Sequence, residues 1–142
     1  MAKLTSEAVK EFALSHGADL CGVANIERFK DAPADRNPMN IFPEARSVVV
    51  LGRRILRGGW RGIEEGTYWP SYTHFDYSGL LNTFFLPLPL YETGCFIEDQ
   101  GWEAVTTYAG CPELQDPQER PRRPGGVPPE VTLSTRIAAM AA

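Results

Sequence analysis

The chain has 142 residues, of which 43% are hydrophobic and 23% charged, and its 14 basic and 18 acidic side chains give a formal net charge of −4. This length supports one domain with a buried core, and this composition excludes wholesale disorder. The acidic balance gives no basis for general nucleic-acid binding, and no apolar run approaches the ~20 residues that a membrane span needs. The first residues lack the apolar stretch of a secretory signal, so we expect a cytoplasmic protein.

The first 25 residues predict a helix followed by a strand. Thr5 or Ser6 is a suitable N-cap, and apolar residues then recur at helical spacing until Gly17, a suitable left-handed C-cap. Residues 18–24 predict a short strand. Gly22 inside this strand indicates a bulge or a close approach of another part of the backbone.

A helical turn and the strongest strand pattern of the chain come next. Ile26 and Phe29 are spaced to face inward from one helical turn, and residues 31–40 predict a loop because they are rich in Pro, Asp and Asn. The run from Ser47 to Leu51 is branched and apolar on both faces. This pattern predicts a central strand that is covered from both sides.

The middle of the chain is rich in aromatic residues, glycine and proline. Residues 57–62 are predicted to be irregular and mobile because they hold three glycines. A helix is predicted to start near Asp76 or Ser78. We expect Pro87 and Pro89 to kink or break it, because each lacks an N–H and clashes with the preceding turn.

The last part predicts a strand, a long loop and a helix. Residues 102–108 alternate in the manner of a strand, and residues 110–129 form a proline-rich loop, which at about 20 residues is typical of functional or disordered segments. Residues 132–142 predict a helix whose apolar, uncapped end is what we expect of a chain cut from a longer protein. The whole order predicts an α/β (α+β) fold in a single domain spanning residues 1–142.

Cysteine spacing gives no metal site. Cys21, Cys95 and Cys111 form neither a disulfide framework nor a C-x-x-C pair of the kind that binds zinc or an iron–sulfur cluster. We therefore predict no metal ligands in this chain and interpret the cysteines as small buried hydrophobic residues. Glycine-rich fingerprints of dinucleotide and nucleotide-phosphate sites are also missing from the sequence.

Two polar groups are candidates for chemistry. A hydroxyl, an imidazole, a carboxylate and two phenols lie within residues 72–77, and such groups can move a proton when they meet. The alternative is an aromatic cluster under a loop, with a solvated imidazole. The second group stands at the start of the last helix, where hydroxyls and backbone N–H groups suit a phosphate or amide group of a large cofactor. We predict catalytic roles for His74, Asp76 and Tyr77 and cofactor contacts for Tyr72, Thr132, Ser134 and Arg136.

Several stretches in register resemble the N-terminal region of the epoxyqueuosine reductase-like iron–sulfur proteins, which are related to reductive dehalogenases. They are residues 11–24, 42–52, the pair Asp76-Tyr77, residues 101–104 and residues 136–142. The resemblance implies a nitroreductase-like three-layer fragment, with a mixed sheet flanked by helices, that binds cobalamin. It also implies a C-terminal ferredoxin-like module with two 4Fe-4S clusters, whose ligands are absent from this chain.

The resemblance further implies an oxidoreductase in which the clusters feed electrons to the corrinoid and a nearby acid protonates the substrate. It implies a small-molecule or modified-nucleoside substrate and an electron-donor protein. The exposed faces of a half-built domain would also allow a homo-oligomer. The family places an aspartate just ahead of the last helix, where this sequence has Pro129-Glu130-Val131. The identity of the proton donor is therefore open, and a substrate other than epoxyqueuosine is favoured.

Two other functions fit the residues. One is a flavin-binding, nitroreductase-like enzyme without corrinoid. The other is a non-enzymatic binding module, because Trp and Arg are enriched among residues that dominate binding at protein interfaces. Trp60, Arg61 and Trp69 would be its anchors.

Overall fold

The computed structural model describes residues 4–77, 79–107 and 135–142. It is a mixed α+β structure of α-helices, short 3-10 and π-helical segments, and a two-stranded sheet. The α-helices are α1 (Ser6–Ser15), α2 (Arg57–Glu64), α3 (Pro87–Asp99) and α4 (Thr135–Ala141), and the strands are β1 (Leu20–Asn25) and β2 (Ser47–Gly52). The 3-10 helices are Ile26–Phe29, Ala34–Arg36 and Pro38–Asn40, and the π-helical segments are Ser71–Tyr77 and Leu81–Phe85. No helix in these ranges is both long and apolar enough to cross a membrane.

The two strands pair in antiparallel fashion. The Asp19 amide donates to the Gly52 carbonyl at 2.8 Å, and the Ile26 amide donates to the Arg46 carbonyl at 3.0 Å, so residue numbers rise along one strand as they fall along its partner. Within the described ranges β2 pairs with β1 alone. The sequence prediction of a strand at this position is confirmed, but its central place in a wider sheet is not seen in these ranges.

The first helix forms as its sequence predicts. Thr5 caps it, since the Thr5 hydroxyl accepts a hydrogen bond from the Ala8 amide at 3.2 Å, and Gly17 follows with a φ of 108°. That backbone angle is left-handed and suits a residue without a Cβ. The Phe12 ring stacks on the Phe96 ring of α3 with 4.3 Å between centroids, which fastens the two helices together.

The contacts divide the chain into two compact units. The first comprises Met1–Cys21 and Leu51–Thr106, and the second comprises Gly22–Val50 and Thr107–Ala142. In the first unit, α1 packs on α3, and α2 packs on the π-helical segment that contains Asp76.

The second unit has a small core centred on Phe29, which is 2% exposed and packs with Ala24, Val48 and Ala138. Ile26 lies against this core, so both inward positions of the predicted turn are confirmed. Helix α4 thus covers one face of the sheet. Its described part confirms the predicted last helix, whereas the predicted capping residues and the loop at 110–129 lie outside the described residues.

Gly22 is a point of close backbone approach, one of its two predicted roles. A Cβ placed on it would lie 2.7 Å from the Ala142 Cβ, closer than real Cβ contacts come. The strand β1 therefore contacts the end of the last helix at Gly22, which has no side chain to keep them apart.

Residues 57–62 are helical, so the prediction of an irregular segment is wrong. Side-chain pairs one turn apart stabilise α2: the Trp60 indole N–H donates to Glu64 at 2.7 Å, and Arg61 pairs with Glu65 at 2.5 Å. The glycines that suggested irregularity are used for packing, because Gly59 and Gly62 are buried on the same face of the helix.

Helix α3 begins at Pro87 instead of being broken there. Pro87 and Pro89 stand in the first turn, where the backbone N–H groups have no partner within the helix and their loss costs little. The break that the prolines predict therefore falls between the π-helical segment Leu81–Phe85 and helix α3.

Residues 102–107 form no strand, so that prediction is wrong for the part of it that the structure describes. The segment packs on α3 instead of pairing. A Cβ at Gly94 would meet the Thr106 Cγ2 at 3.2 Å and the Ala104 Cβ at 3.9 Å. The alternating small residues Ala104 and Thr106 therefore contact helix α3 and not a neighbouring strand.

Candidate functional site

The predicted catalytic segment is wound into the π-helical turn Ser71–Tyr77. Tyr72, His74 and Asp76 all lie on it, and Tyr77 ends it, with a side chain outside what the structure describes. Such wide turns occur often at functional sites, because the extra residue redirects side chains out of the regular helical positions.

Asp76 is the buried polar residue of this turn. Its exposure is 3%, and its Oδ2 atom has no hydrogen-bond partner in the described structure. A carboxyl oxygen removed from water without a partner is costly, so such atoms are rare in folded proteins. This atom is the strongest indication of a functional site in the described chain.

Gly59, which the sequence analysis did not single out as a site residue, packs against this carboxyl group. A Cβ on Gly59 would collide with the Asp76 Oδ2 and would lie 3.4 Å from the Ser71 Oγ. Helix α2 therefore approaches the carboxylate through a residue without a side chain. The signal in the sequence is the pair Gly59 and Gly62, whose spacing of three places both on one face of a helix.

Gly62 brings the same face of α2 against the chain that leads into the turn. A Cβ there would lie 2.6 Å from the Tyr68 carbonyl oxygen, which is backbone and cannot move aside as a side chain would. The close approach of α2 to the segment that carries Asp76 thus depends on Gly59 and Gly62, which have no side chains.

His74 shares the turn with Asp76 but not its environment. The His74 side chain is exposed, and its Nδ1 lies 2.8 Å from the Thr73 Oγ1. Because the Asp76 Oδ2 bonds to nothing, this oxygen and the imidazole do not form an acid–base pair. The sequence alternative of a solvated imidazole describes His74 correctly.

Aromatic rings also join α2 to the π-helical turn. The Trp60 ring meets the Tyr72 ring edge-on, with centroids 5.3 Å apart and an angle of 73° between planes. Trp60 and Trp69 are 47% and 57% exposed, so the ring surface is available for contact with another molecule.

The part of the sequence that carries Asp76 has no basic residue of its own. Between Arg61 and Arg120 the sequence contains no Lys or Arg. The basic side chain nearest in sequence, Arg61, is held by Glu65 one turn away. The unpartnered oxygen of Asp76 thus belongs to a stretch that carries only acidic charges.

The second predicted group is not described as a site. Thr132 and Ser134 lie outside the described residues, and Arg136 lies on α4 of the second unit with a side chain outside the described part. Their proposed cofactor contacts stay predictions.

The titratable side chains of the described ranges contain no group of three or more His, Cys, Asp or Glu that could hold a metal ion. Cys21 is half-buried, and burial raises the pKa of its thiol, which nearby Lys10 partly offsets. Cys95 is exposed, so its interpretation as a buried hydrophobic residue is wrong, and Cys111 lies outside the described residues.

Comparison of the sequence with protein-family models, with curated proteins and with solved structures finds no match. The resemblance to epoxyqueuosine reductase-like proteins accordingly enters the functional argument as a proposal. The geometry to be explained is a buried carboxyl oxygen without a partner in the described structure, covered by a glycine of α2.

Proposed function

We propose that this chain is the cofactor- and substrate-binding portion of an iron–sulfur oxidoreductase similar to epoxyqueuosine reductase, with a corrinoid as its redox centre. The observation that carries the proposal is the buried, unpartnered carboxyl of Asp76. It belongs to the Asp76-Tyr77 pair on which part of the resemblance depends. A reduction that adds a proton to its substrate needs a positioned acid of this kind.

The fold proposed for the complete domain is the nitroreductase-like three-layer arrangement with a mixed sheet. The α+β composition and the packing of α4 on β1 and β2 support it. We propose that the helix α1 and the two strands are the opening elements of that arrangement, as the resemblance over residues 11–24 and 42–52 implies.

The residues on the first unit fit a large ring cofactor. Trp60 and Trp69 offer exposed aromatic faces that suit the apolar parts of such a cofactor. When bound, the corrinoid would supply a low-potential metal centre that passes electrons to the substrate. Tyr72 would contact the cofactor from this unit.

The iron–sulfur clusters do not fit the described residues. The three cysteines of the sequence are fewer than one Cys₄ ligand set, and the described ranges hold no cluster of candidate ligands. We propose that the two clusters belong to a ferredoxin-like module outside these 142 residues.

Asp76 would hold and deliver a proton. The glycine face of α2 packs against its Oδ2 and keeps that oxygen from water.

The test uses the protein expressed from its full open reading frame and reconstituted anaerobically with iron, sulfide and hydroxocobalamin. We expect cobalt and iron to remain after desalting, with the visible absorption of both centres. Absence of both metals would overturn the proposal, and a yellow preparation with bound flavin would select the flavin enzyme instead.

A matched pair of variants locates the cofactor. We expect Tyr72→Ala to weaken hydroxocobalamin binding by about tenfold, the equivalent of ~1.4 kcal/mol, because it removes an aromatic contact. Tyr68→Ala removes an exposed tyrosine four residues away and should leave binding unchanged. Equal affinities of the two variants would place the cofactor elsewhere.

One observation favours a second candidate, the protein-interaction module. Trp60 and Trp69 are large, exposed and close in sequence, and the Trp60 N–H and the Arg61 guanidinium are held in place by Glu64 and Glu65. Pre-ordered aromatic anchors of this kind suit a docking surface. A size-exclusion shift with a defined partner and no cofactor uptake would select this function.

A further inference from the structure

One side of helix α3 carries a row of exposed, weakly polar side chains. Leu88, Tyr91 and Cys95 are three and four residues apart, a spacing that places them in one row along a helix. Leu88 is 47% exposed and Tyr91 66%, and Cys95 is exposed as well. Another side of α3 is covered, because Phe96 stacks on Phe12 of α1. We call Leu88, Tyr91 and Cys95 the outer stripe.

The polar atoms of the outer stripe are engaged with each other. A hydrogen bond joins the Tyr91 hydroxyl and the Cys95 thiol, which lie one helical turn apart. The tyrosine ring is thereby tied to the helix before any partner arrives. An aromatic side chain that is already ordered loses little freedom on binding, and tyrosine is one of the residues that dominate the binding energy of interfaces.

The charges beside the outer stripe are all acidic. The charged residues of α3 are Glu92, Glu98 and Asp99, and the helical repeat places Glu98 on one side of the stripe and the other two on the opposite side. The last turn of α3 contains no basic side chain. Because the C-terminal end of a helix carries partial negative charge, Glu98 and Asp99 are repelled by their own helix. A basic group supplied from outside would relieve this repulsion.

We propose that the outer stripe binds an amphipathic helix of a partner protein, one with an apolar row at matching spacing and basic residues beside that row. The apolar row would pack on Leu88 and Tyr91, and the basic residues would pair with Glu98 and Asp99 at the C-terminal end of α3. A second copy of the stripe would bring no basic group, and an anionic membrane would be repelled by the carboxylates. The inference goes beyond the proposed function and depends on no cofactor.

The first test titrates the protein from its full open reading frame into a fluorescein-labelled peptide of leucine and lysine, with leucines every three or four residues. The matched peptide has glutamate in place of lysine. We expect the fluorescence anisotropy of the lysine peptide to rise saturably, and the glutamate peptide to bind about tenfold more weakly or not at all, because its charges repel the acidic flanks. Equal affinity for both peptides, or binding of neither, would overturn the inference.

A pair of leucine variants locates the contact. We expect Leu88→Gln to weaken binding of the lysine peptide about tenfold, because it removes an apolar anchor of the outer stripe. Leu14→Gln makes the same change at an exposed leucine of α1 and should bind as the wild type does. Both positions are exposed, so circular dichroism should show both proteins folded. Equal affinities of the two variants would reject the outer stripe as the binding surface.

A pair of glutamate variants separates local pairing from attraction to the net charge of −4. We expect Glu98→Gln to weaken binding of the lysine peptide about threefold, and Glu11→Gln, at an exposed position of α1, to leave it unchanged. Equal losses in both variants would overturn the proposed pairing.

Two further measurements examine the other occupants. Sedimentation at rising protein concentration would reveal self-association, and self-association that Leu88→Gln abolishes would assign the outer stripe to a dimer of this chain instead. Binding to vesicles of phosphatidylcholine and phosphatidylserine that Leu88→Gln abolishes would assign it to a membrane surface. We expect neither, and either result would overturn the inference.

Discussion

The Arg28 guanidinium donates a hydrogen bond to the Ala141 carbonyl, across 113 residues of chain. The acceptor is at the end of α4, where carbonyl groups have no partner within the helix and carry partial negative charge. Arg28 thus caps the helix whose Ala138 side chain packs beside Phe29 in the core of the second unit.

Removal of this cap should loosen α4. We expect Arg28→Ala to lower the free energy of unfolding by about 1 kcal/mol and to speed amide hydrogen exchange in residues 135–141. Lys30→Ala removes an exposed basic residue two positions away and serves as the control. Similar exchange rates in the two variants would show that Arg28 does not hold the helix.

The glycines of α2 should respond in opposite ways to alanine. Gly62→Ala would press a Cβ on the Tyr68 carbonyl and should destabilise the protein by about 1–3 kcal/mol, despite the better helix propensity of alanine. Gly58→Ala meets nothing within 4 Å and should be neutral or stabilising by up to about 1 kcal/mol. Urea unfolding of the two variants checks this, and a stable Gly62→Ala protein would contradict the tight packing of α2.

Phe29 should be the costliest single truncation in the second unit. We expect Phe29→Ala to lower the free energy of unfolding by about 3–5 kcal/mol, because it empties the centre of a small core. Phe84→Ala, at an exposed ring, should cost less than about 1 kcal/mol. Thermal unfolding of both proteins checks this difference. If Phe29→Ala lost as little stability as Phe84→Ala, the central place of Phe29 in the core would be contradicted.

Stability should fall in alkaline solution through Cys21. Burial raises the pKa of this thiol in the folded protein, so the unfolded chain gives up the proton first as the pH rises. The stabilisation from the protonated Cys21 thiol is fully present below the ordinary pKa of a thiol. It is lost as the pH rises through the pKa that Cys21 has in the folded protein.

Urea unfolding at pH 7 and pH 10 measures this effect. Wild type should lose more stability between the two pH values than Cys21→Ala does. An identical loss in both proteins would assign the pH dependence to other groups.

The local features of the fold could be predicted from the sequence. The Thr5 cap, the left-handed Gly17, the inward Phe29 and the branched strand β2 each depend on neighbours within a few residues. Caps, turns and side-chain spacing act over that range, so the pattern alone contains the information. The same kind of pattern singles out Asp76 as a carboxylate among aromatic residues, and its catalytic role stays a prediction.

What the sequence could not determine was how such residues are used. In the sequence, the glycines of α2 predict an irregular segment. In the structure, Gly59 packs against the Asp76 carboxyl and Gly62 packs against the Tyr68 carbonyl. Residues 102–107 alternate like a strand but pack on Gly94. Burial of the Asp76 Oδ2 beside Gly59 depends on two segments that meet through the fold, and only tertiary packing decides which groups are taken out of water and left without a partner.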